Sequence, residues 1–176
     1  PFAPVQDAPS SRTDARHRIS ASAIVELPGR FVVAPILLYR SALPTHSFEG
    51  LDLNADGNVN DKTATAYRYT GLTSRGVATF AEDGPCETVN CSRWAPFSQV
   101  NIRASRWFGL RGSQRLEAIV EIFNLFNASN PVIPVTTRRL AASGTPLASF
   151  MQPTAYAGDI QQSEQRLAQL ALRFSF

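Results

Sequence analysis

The stretch SQVNIRASRWF-GLRGSQ-RLEAIVEIFNLF, residues 98–126, contains two segments of alternating apolar and polar residues joined by a short turn. Alternation with a period of two residues predicts β-strands that each present one apolar face. The stretch therefore predicts an antiparallel hairpin made of strands 98–108 and 115–126. Its apolar positions are Val100, Ile102, Ala104, Leu116, Ala118, Val120 and Ile122.

A helical interpretation competes for two segments of the chain. Residues 115–126 also place apolar side chains at the i, i+3, i+4 and i+7 spacing of an amphipathic helix. Residues 166–176 follow a run of good helix formers, and Leu167, Leu170, Ala171 and Phe174 would share one helical face. The clearer alternation elsewhere, together with the connections between segments, favours strands in both places.

Three further segments are predicted to be strands, at 16–27, 31–41 and 166–176. The first alternates well, except that Ile24 falls on the polar face. The second is apolar on both faces until Arg40, and Pro35 within it cannot donate a hydrogen bond to a neighbouring strand. Together with the hairpin, these segments give about five strands.

The connections between the five strands alternate between short and long. The turns at 28–30 and 109–114 are short, whereas residues 43–97 and 127–165 form long connections. Long loops are uncommon in compact soluble domains. Outer-membrane barrels have short periplasmic turns, long extracellular loops and strands of about 9–11 residues. The pattern predicts an all-β fold, an antiparallel up-and-down meander of about five transmembrane strands of an outer-membrane β-barrel.

Side-chain chemistry agrees with a lipid-facing sheet. If the cleaner apolar face meets lipid, mixed charges remain on the inner face, where they can pair or meet water. These charges are Arg18, Glu26, Arg103, Glu117, Glu121 and Arg173. Aromatic residues near the short turns fit an interfacial girdle, with ordinary core packing as the alternative. They are Phe31, Trp107, Phe108, Phe174 and Phe176.

Composition argues against several other classes of protein. The 176 residues suffice for one domain, taken here as 1–176, or for a piece of a larger protein. The net charge is +3, but the arginines are scattered and Lys62 is the only lysine, so no nucleic-acid partner is predicted. The sequence shows no Ser, His and Asp in the order of a catalytic triad, no cluster of metal-binding residues and no phosphate-binding loop. His17 and His46 are not spaced from each other or from the cysteines as zinc ligands are. We therefore expect that the chain is not an enzyme.

Cys86 and Cys91 are the two cysteines, in the polar segment CETVNC. Thiols this close in sequence fit a small disulfide-closed loop in an oxidising compartment. Two free thiols are the alternative.

The stretch DLNADGNVND, residues 52–61, has the spacing of a calcium-binding loop. An EF-hand requires a bidentate acid at position 12, which is Thr63 here, so a true EF-hand is not predicted. A calcium-ordered loop and ordinary Asn/Asp/Gly turn chemistry both remain open. The candidate calcium ligands are Asp52, Asn54, Asp56, the Asn58 carbonyl, Asn60 and Asp61. No other cofactor is predicted.

Five motifs follow one another along the chain: DARHRISASAIVELPGRF (14–31), LDLNADGNVNDK (51–62), FSQVNIRASRWF (97–108), EIFNLFNASN (121–130) and LALRFSF (170–176). In this order they resemble the TonB-dependent outer-membrane receptors, in the branch that carries a carboxypeptidase-regulatory-like domain before the plug. The strongest motif is EIFNLFNASN, and this chain departs from the family pattern at Asn101, where Asp is usual, and at Arg106, where Lys is usual.

The resemblance implies the C-terminal segment of a barrel of about twenty-two strands around a plug. Such a receptor takes up a solute across the bacterial outer membrane with energy supplied through the TonB complex, which would be contacted only by segments upstream of this chain. Outer-membrane lipid is then a partner. The alternative function is a calcium-dependent surface or adhesion module on a smaller β fold.

The last strand also resembles the signal that the barrel-assembly machinery reads. That signal comprises alternate apolar residues and a terminal aromatic, and docking of an exposed strand edge is β-augmentation. A last strand that simply ends in Phe is the alternative. The residues concerned are Leu170, Leu172, Phe174 and Phe176.

Overall fold

The protein is all-β, as predicted. A computed structural model describes residues 13–157 and 165–176, and these contain twelve strands and no α-helix. Among these residues, none forms a helix with the length and hydropathy needed to cross a membrane. The strands are β1 Arg18–Ser22, β2 Val25–Leu27, β3 Phe31–Arg40, β4 Pro44–Thr45, β5 Thr65–Leu72, β6 Ala78–Pro85, β7 Ser92–Arg93, β8 Phe97–Gly109, β9 Arg115–Phe123, β10 Pro131–Pro134, β11 Pro153–Tyr156 and β12 Leu167–Ser175. These named strands pair antiparallel except for β5 with β7.

The chain divides into two compact units, where the sequence analysis takes one domain. Of the described residues, the sheet unit comprises 17–40, 97–130, 157 and 165–176, and the loop unit comprises 13–16, 41–96 and 131–156. Residues 1–12 and 158–164, which the sequence analysis includes in its domain and its second long loop, lie outside the described residues.

The sheet unit is the predicted meander. Its strand order is β1-β3-β8-β9-β12, with β2 also paired to β3, and every pairing is antiparallel. Neighbours in the sheet are therefore neighbours in sequence, once the strands of the loop unit are set aside. The tight turns lie between β2 and β3 and between β8 and β9, at one end of the sheet. Both segments that competed as helices, 115–123 and 167–175, pair with each other as strands.

The first predicted strand is interrupted, which the sequence analysis does not anticipate. Residues 16–27 give two strands, β1 and β2, separated at Ala23 and Ile24. Ala23 donates its N–H to the Pro35 carbonyl at 3.2 Å, but Pro35 has no N–H with which to return a bond. The missing ladder bond explains why regular pairing lapses here and resumes at Val25 in the same register.

The fourth strand ends at Phe123, earlier than the predicted 126. Asn124 and Asn127 have φ angles of 50° and 51°, a left-handed conformation that Asn tolerates better than most residues. The Asn124 side chain also accepts a bond from the Ala128 N–H and donates one to the Ala128 carbonyl, both at 2.9 Å. The sequence FNLFN therefore closes the strand with a turn.

The predicted long connection at 43–97, and the described part of 127–165, contain strands that the sequence analysis misses. In the first, β4, β7, β5 and β6 form a four-stranded sheet in that order, with β5 and β7 parallel. In the second, β10 and β11 pair antiparallel. These strands belong to the loop unit, which is a small folded body in its own right.

The loop unit is held together by a small aromatic core. The rings of Tyr67, Phe80 and Phe150 meet edge to face, with centroids 5.2–6.0 Å apart. Such pairs add stabilisation beyond the area they bury. Trp94 is buried, and its indole N–H donates to the Pro131 carbonyl at 2.8 Å, which fixes β10 relative to this core.

Candidate functional site

The most informative feature of the sheet unit is the contrast between its two faces. Because side chains alternate along each strand, the register assigns every residue to one face. All six charged residues predicted to point inward share one face: Arg18, Glu26, Arg103, Glu117, Glu121 and Arg173. The opposite face, called here the apolar face, consists of apolar residues apart from Tyr39, Ser98 and Arg106.

The apolar face is exposed, unlike the apolar face of a sheet in a soluble protein, and most of the charged face is exposed as well, at Arg18, Glu26, Arg103 and Arg173. On the apolar face Leu170 and Leu172 are 79% and 75% exposed, and Ile19, Leu37, Val120 and Phe174 are also exposed. On the charged face Glu117 is only 5% exposed, and Arg103 pairs with Glu121 at 3.4 Å. Exposed apolar patches of this kind mark a surface that contacts a membrane or another protein.

Three of the five aromatic residues predicted to form an interfacial girdle share the apolar face. Phe31, Phe108 and Phe174 lie on the apolar face, near the end with the short turns. Trp107 does not belong with them, because it pairs with Glu117 and so lies on the charged face. Neighbouring positions along a strand point to opposite faces, so Trp107 and Phe108 could not both face the same side.

The residues of the predicted assembly signal lie together at one edge of the sheet. Leu170, Leu172 and Phe174 share the apolar face of β12, and Phe176 follows with its side chain 94% exposed. The rings of Phe174 and Phe176 are 6.0 Å apart. Strand β12 pairs with β9 on one side, and on its other side it has no partner strand among the described residues.

The structure closes the 52–61 loop with its own backbone donors. The two carboxylate oxygens of Asp52 accept N–H bonds from Asp56 and Gly57, at 3.1 and 2.9 Å. Asp61 accepts the N–H groups of Leu53 and Asn54 through one oxygen. The loop also contains two Asx turns, in which Asn54 Oδ1 accepts the Asp56 N–H at 3.0 Å and Asp56 Oδ1 accepts the Asn58 N–H at 2.8 Å. Across residues 13–157 and 165–176, no three His, Cys, Asp or Glu side chains are placed to hold a metal ion.

Asp56 is the central carboxylate of this loop. It accepts the backbone N–H of Asn58 at 2.8 Å and a side-chain bond from Asn54 at 3.1 Å. The bond from the Asn58 backbone, followed by that from Asn54, lowers the pKa of Asp56 below its ordinary value of 3.8. The ionised carboxylate therefore stabilises the turn above that range, and the stabilisation is lost as pH falls through the lowered pKa.

Asn60 is another candidate calcium ligand, and it lines a groove that is described below.

The structure joins Cys86 and Cys91 in a disulfide, with their Cα atoms 5.4 Å apart. The bridge follows β6 and precedes β7, so it closes the short connection between two strands of the loop unit. Lys62 donates to the carbonyl of Glu87 inside this closed connection. The 52–61 loop is thereby linked to the disulfide-closed segment.

A buried carboxylate that the sequence analysis does not identify stands next to the 52–61 loop. Glu49 is 8% exposed and accepts bonds from Arg139 at 2.7 Å and from Arg138 at 3.2 Å. The bond to Glu49 raises the pKa of Arg138. The adjacent arginine pair is visible in the sequence, but its partner lies about ninety positions away, so sequence spacing gives no signal of it.

Backbone geometry holds this ion cluster tightly. Gly50 follows Glu49 with a φ of 80°, and a Cβ there would lie 2.2 Å from the Arg139 carbonyl oxygen. Phe48 forms single bridges to Lys62 on one side and to Thr137 on the other. The two chain segments of the loop unit therefore meet at 48–50, directly before the 52–61 loop.

A groove of about 510 Å³ opens beside this meeting point. Most of its lining is apolar, and Arg139 and Asn60 are among its polar members. It combines a guanidinium with apolar walls, which is a composition suited to a small ligand. Its lining includes Phe48, Val59, Val135, Leu140, Ala141 and Leu147.

Comparisons with models of protein families, with curated proteins and with solved structures found no match.

Calcium binding by the 52–61 loop is testable. If Asp52, Asn54 and Asp56 supply the first ligands, titration of the intact protein with millimolar calcium releases or absorbs heat in a calorimeter. Asp56→Ala should abolish that heat, whereas Asp83→Ala, which removes a carboxylate elsewhere in the loop unit, should retain it. Absence of heat in the parent protein would show that the loop does not bind calcium and that its Asn, Asp and Gly residues only form turns.

Replacement of Glu49 tests the ion cluster. Glu49→Gln keeps the shape of the side chain but leaves two guanidinium groups facing one neutral acceptor. Because the arginines are 40% and 31% exposed, solvent screens part of the cost, and we expect a loss of about 1–3 kcal/mol in loop-unit stability. Denaturant unfolding followed by tyrosine and tryptophan fluorescence measures it.

The exposed Glu87→Gln serves as the matched control and should change stability by less than about 0.5 kcal/mol. Equal effects of the two variants would show that the cluster contributes no more than a surface carboxylate.

Proposed function

We propose that this chain is the C-terminal part of the barrel of a TonB-dependent outer-membrane receptor that takes up a solute in an energy-coupled way. The observation that carries the proposal is the segregation of side chains in the sheet, with an exposed apolar face and a charged opposite face. In a membrane barrel the apolar face contacts lipid and the charged face lines the lumen.

Strand length and order support the same proposal. Strands β3, β8, β9 and β12 have 9–13 residues, enough to cross the hydrocarbon layer when tilted. The tight turns leave one end of the sheet and the long connections leave the other, as periplasmic turns and extracellular loops do in such barrels.

The open edges of the sheet support a larger barrel. Strand β12 on one side and strand β1 on the other have no outer neighbour among the described residues. Within lipid, unpaired backbone N–H and C=O groups cost several kcal/mol each, so only closed barrels persist there. Further strands of the full-length protein would pair with both edges and close the sheet.

The loop unit then faces the outside of the cell. Its disulfide suits an oxidising location, and its folded core gives the external surface a fixed shape. In this assignment the unit contributes to the solute-binding side of the receptor.

A calcium-dependent surface or adhesion module is the second candidate. It is favoured by the separate core of the loop unit and by its Asx-rich loop. The adhesion-module hypothesis does not explain why the apolar face of the sheet is exposed, so we favour the receptor hypothesis. Binding of the periplasmic domain of TonB to the full-length protein would distinguish a receptor from other barrels.

Alternating lipid contact along β12 tests the membrane assignment. In the full-length protein reconstituted in vesicles, a nitroxide on Leu172→Cys should be relaxed by oxygen, which concentrates in lipid. A nitroxide on the neighbouring Ala171→Cys, on the charged face, should instead be relaxed by a water-soluble nickel complex. Cys86 and Cys91 are joined in a disulfide and are not labelled.

A label on Arg68→Cys, in an exposed part of the loop unit, is the control for full water access. If both β12 positions responded to nickel as this control does, β12 would not lie in a membrane.

Deletion of Phe176 tests the assembly signal. Since the Phe176 side chain is 94% exposed, its loss removes little packing, and refolding into detergent should be unchanged. The yield of full-length protein in the outer membrane should fall severalfold, because the lost group is a recognition element. Equal yields in cells would argue against the signal, and equal failure in detergent would assign Phe176 to stability.

A further inference from the structure

Arg106 is the one charged residue on the apolar face of the described sheet. It lies on β8 directly opposite Phe31 of β3, two residues before Phe108. Its guanidinium carbon is 4.7 Å from the centroid of the Phe31 ring and 5.0 Å from that of Phe108. The cation is thus held against two aromatic rings at the end of the sheet that carries the short turns.

The short-turn end as a whole is rich in unpaired arginines. Residues 27–31 and 106–116 contain Arg30, Arg106, Arg111 and Arg115 and no Asp or Glu. In the described part of the chain, the ion pairs of arginine involve Arg68, Arg103, Arg138 and Arg139, and none of these four. Elsewhere in the sheet, by contrast, Arg103 has Glu121 as its partner.

Two of these arginines line a shared hollow next to Phe108. Arg30 and Arg115, with Trp107, Phe108 and Gly109, surround a space of about 340 Å³. A Cβ on Gly109 would lie 3.3 Å from a guanidinium nitrogen of Arg30, so the small residue leaves room for that side chain. Trp107, Gly109 and Arg115 belong to the charged face, so this hollow is separate from Arg106, which lies on the apolar face.

The surroundings of Arg106 are suited to an anion. A guanidinium has five N–H donors in a planar fork. Aromatic faces attract its positive charge, but N–H donors remain that are not bonded to the rings. A phosphate or carboxylate accepts two parallel bonds from that fork. Because no protein carboxylate pairs with Arg106 in the described chain, the fork is left for an external anion.

The neighbouring side chains identify which anion fits. Leu27, Phe31, Phe108 and Leu110 are exposed apolar residues near Arg106 at the turn end. A ligand with a phosphate and acyl chains meets both the cation and these side chains, whereas a free phosphate meets the cation alone. A charged residue on a lipid-facing surface is also tolerated best at the polar boundary of the bilayer, where lipid phosphates lie.

We propose that Arg106, held between Phe31 and Phe108, binds the phosphate of a phospholipid headgroup. The proposal rests on the membrane location proposed above. It goes beyond it by assigning a specific lipid site to the short-turn end of the sheet and by fixing that end at the level of the lipid phosphates.

Native mass spectrometry of the full-length protein in detergent tests the site, with phosphatidylglycerol added at a series of concentrations. Arg106→Gln should weaken lipid retention about tenfold, the size expected from the loss of one bidentate charge-assisted contact. Arg106→Lys keeps the charge but not the planar fork, so its retention of the lipid should fall between those of the parent and Arg106→Gln. Arg103→Gln, on the opposite face of the same strand, should match the parent protein.

Two further ligands identify the source of the phosphate. Diacylglycerol with the same acyl chains but no phosphate should bind equally to the parent and to Arg106→Gln. Glycerol phosphate, which has no acyl chains, should be retained at least tenfold less than the lipid by the parent protein. Equal retention of glycerol phosphate and lipid would replace the lipid site with a soluble-phosphate site and overturn the proposal.

Flotation with vesicles separates failure of this inference from failure of the proposed function. If the full-length protein floats and Arg106→Gln retains phosphatidylglycerol as the parent does, the lipid site is wrong and the membrane assignment stands. If the full-length protein does not float at all, the membrane assignment is wrong, and the lipid site is overturned with it.

Discussion

The antiparallel ladder between β3 and β8 is the interaction on which the rest of the sheet depends. It pairs Phe31–Arg40 with Phe97–Arg106 without a break, and so it fixes which side chains share a face. Since alternate residues point to opposite faces, a slip of one residue would move Arg103 to the apolar face and Arg106 to the charged face. The hairpin β8–β9 and the last pair β9–β12 extend the same register, so Glu117, Glu121 and Arg173 follow from it. The contrast between the two faces, which supports a membrane location, is therefore a property of backbone pairing.

Much of the sheet could be predicted because its signals are local. Period-two alternation and the turns at 28–30 and 109–114 give the strands, their order and the face of each charge. Even the interruption of the first strand has visible causes, since Ile24 breaks the alternation and Pro35 lacks a donor. For β9 and β12, helix propensity pointed the other way, and pairing between strands overrode it.

The loop unit could not be predicted, because its contacts join distant parts of the chain. Tyr67 meets Phe150, and Glu49 meets Arg138 and Arg139, across sequence separations that no periodicity reports. Its strands are short or irregular, and β5 and β6 contain register shifts that obscure alternation. The 52–61 loop was recognisable from its Asn, Asp and Gly spacing, yet that spacing serves turn bonds and calcium ligands alike. The two possibilities differ in where the oxygens point, which the sequence does not encode locally.

The central claim is that this sheet belongs to a closed barrel, and its edges provide the most direct test. Every second backbone N–H of β12 points away from β9 and has no strand to accept it among the described residues. Hydrogen exchange of the full-length protein in vesicles, resolved along β12 and β1, measures whether those groups are bonded. A closed barrel predicts that successive amides of β12 exchange as slowly as those of β8, which has neighbours on both sides. Fast exchange at every second amide of β12 would mean that the edge is open and would contradict the account.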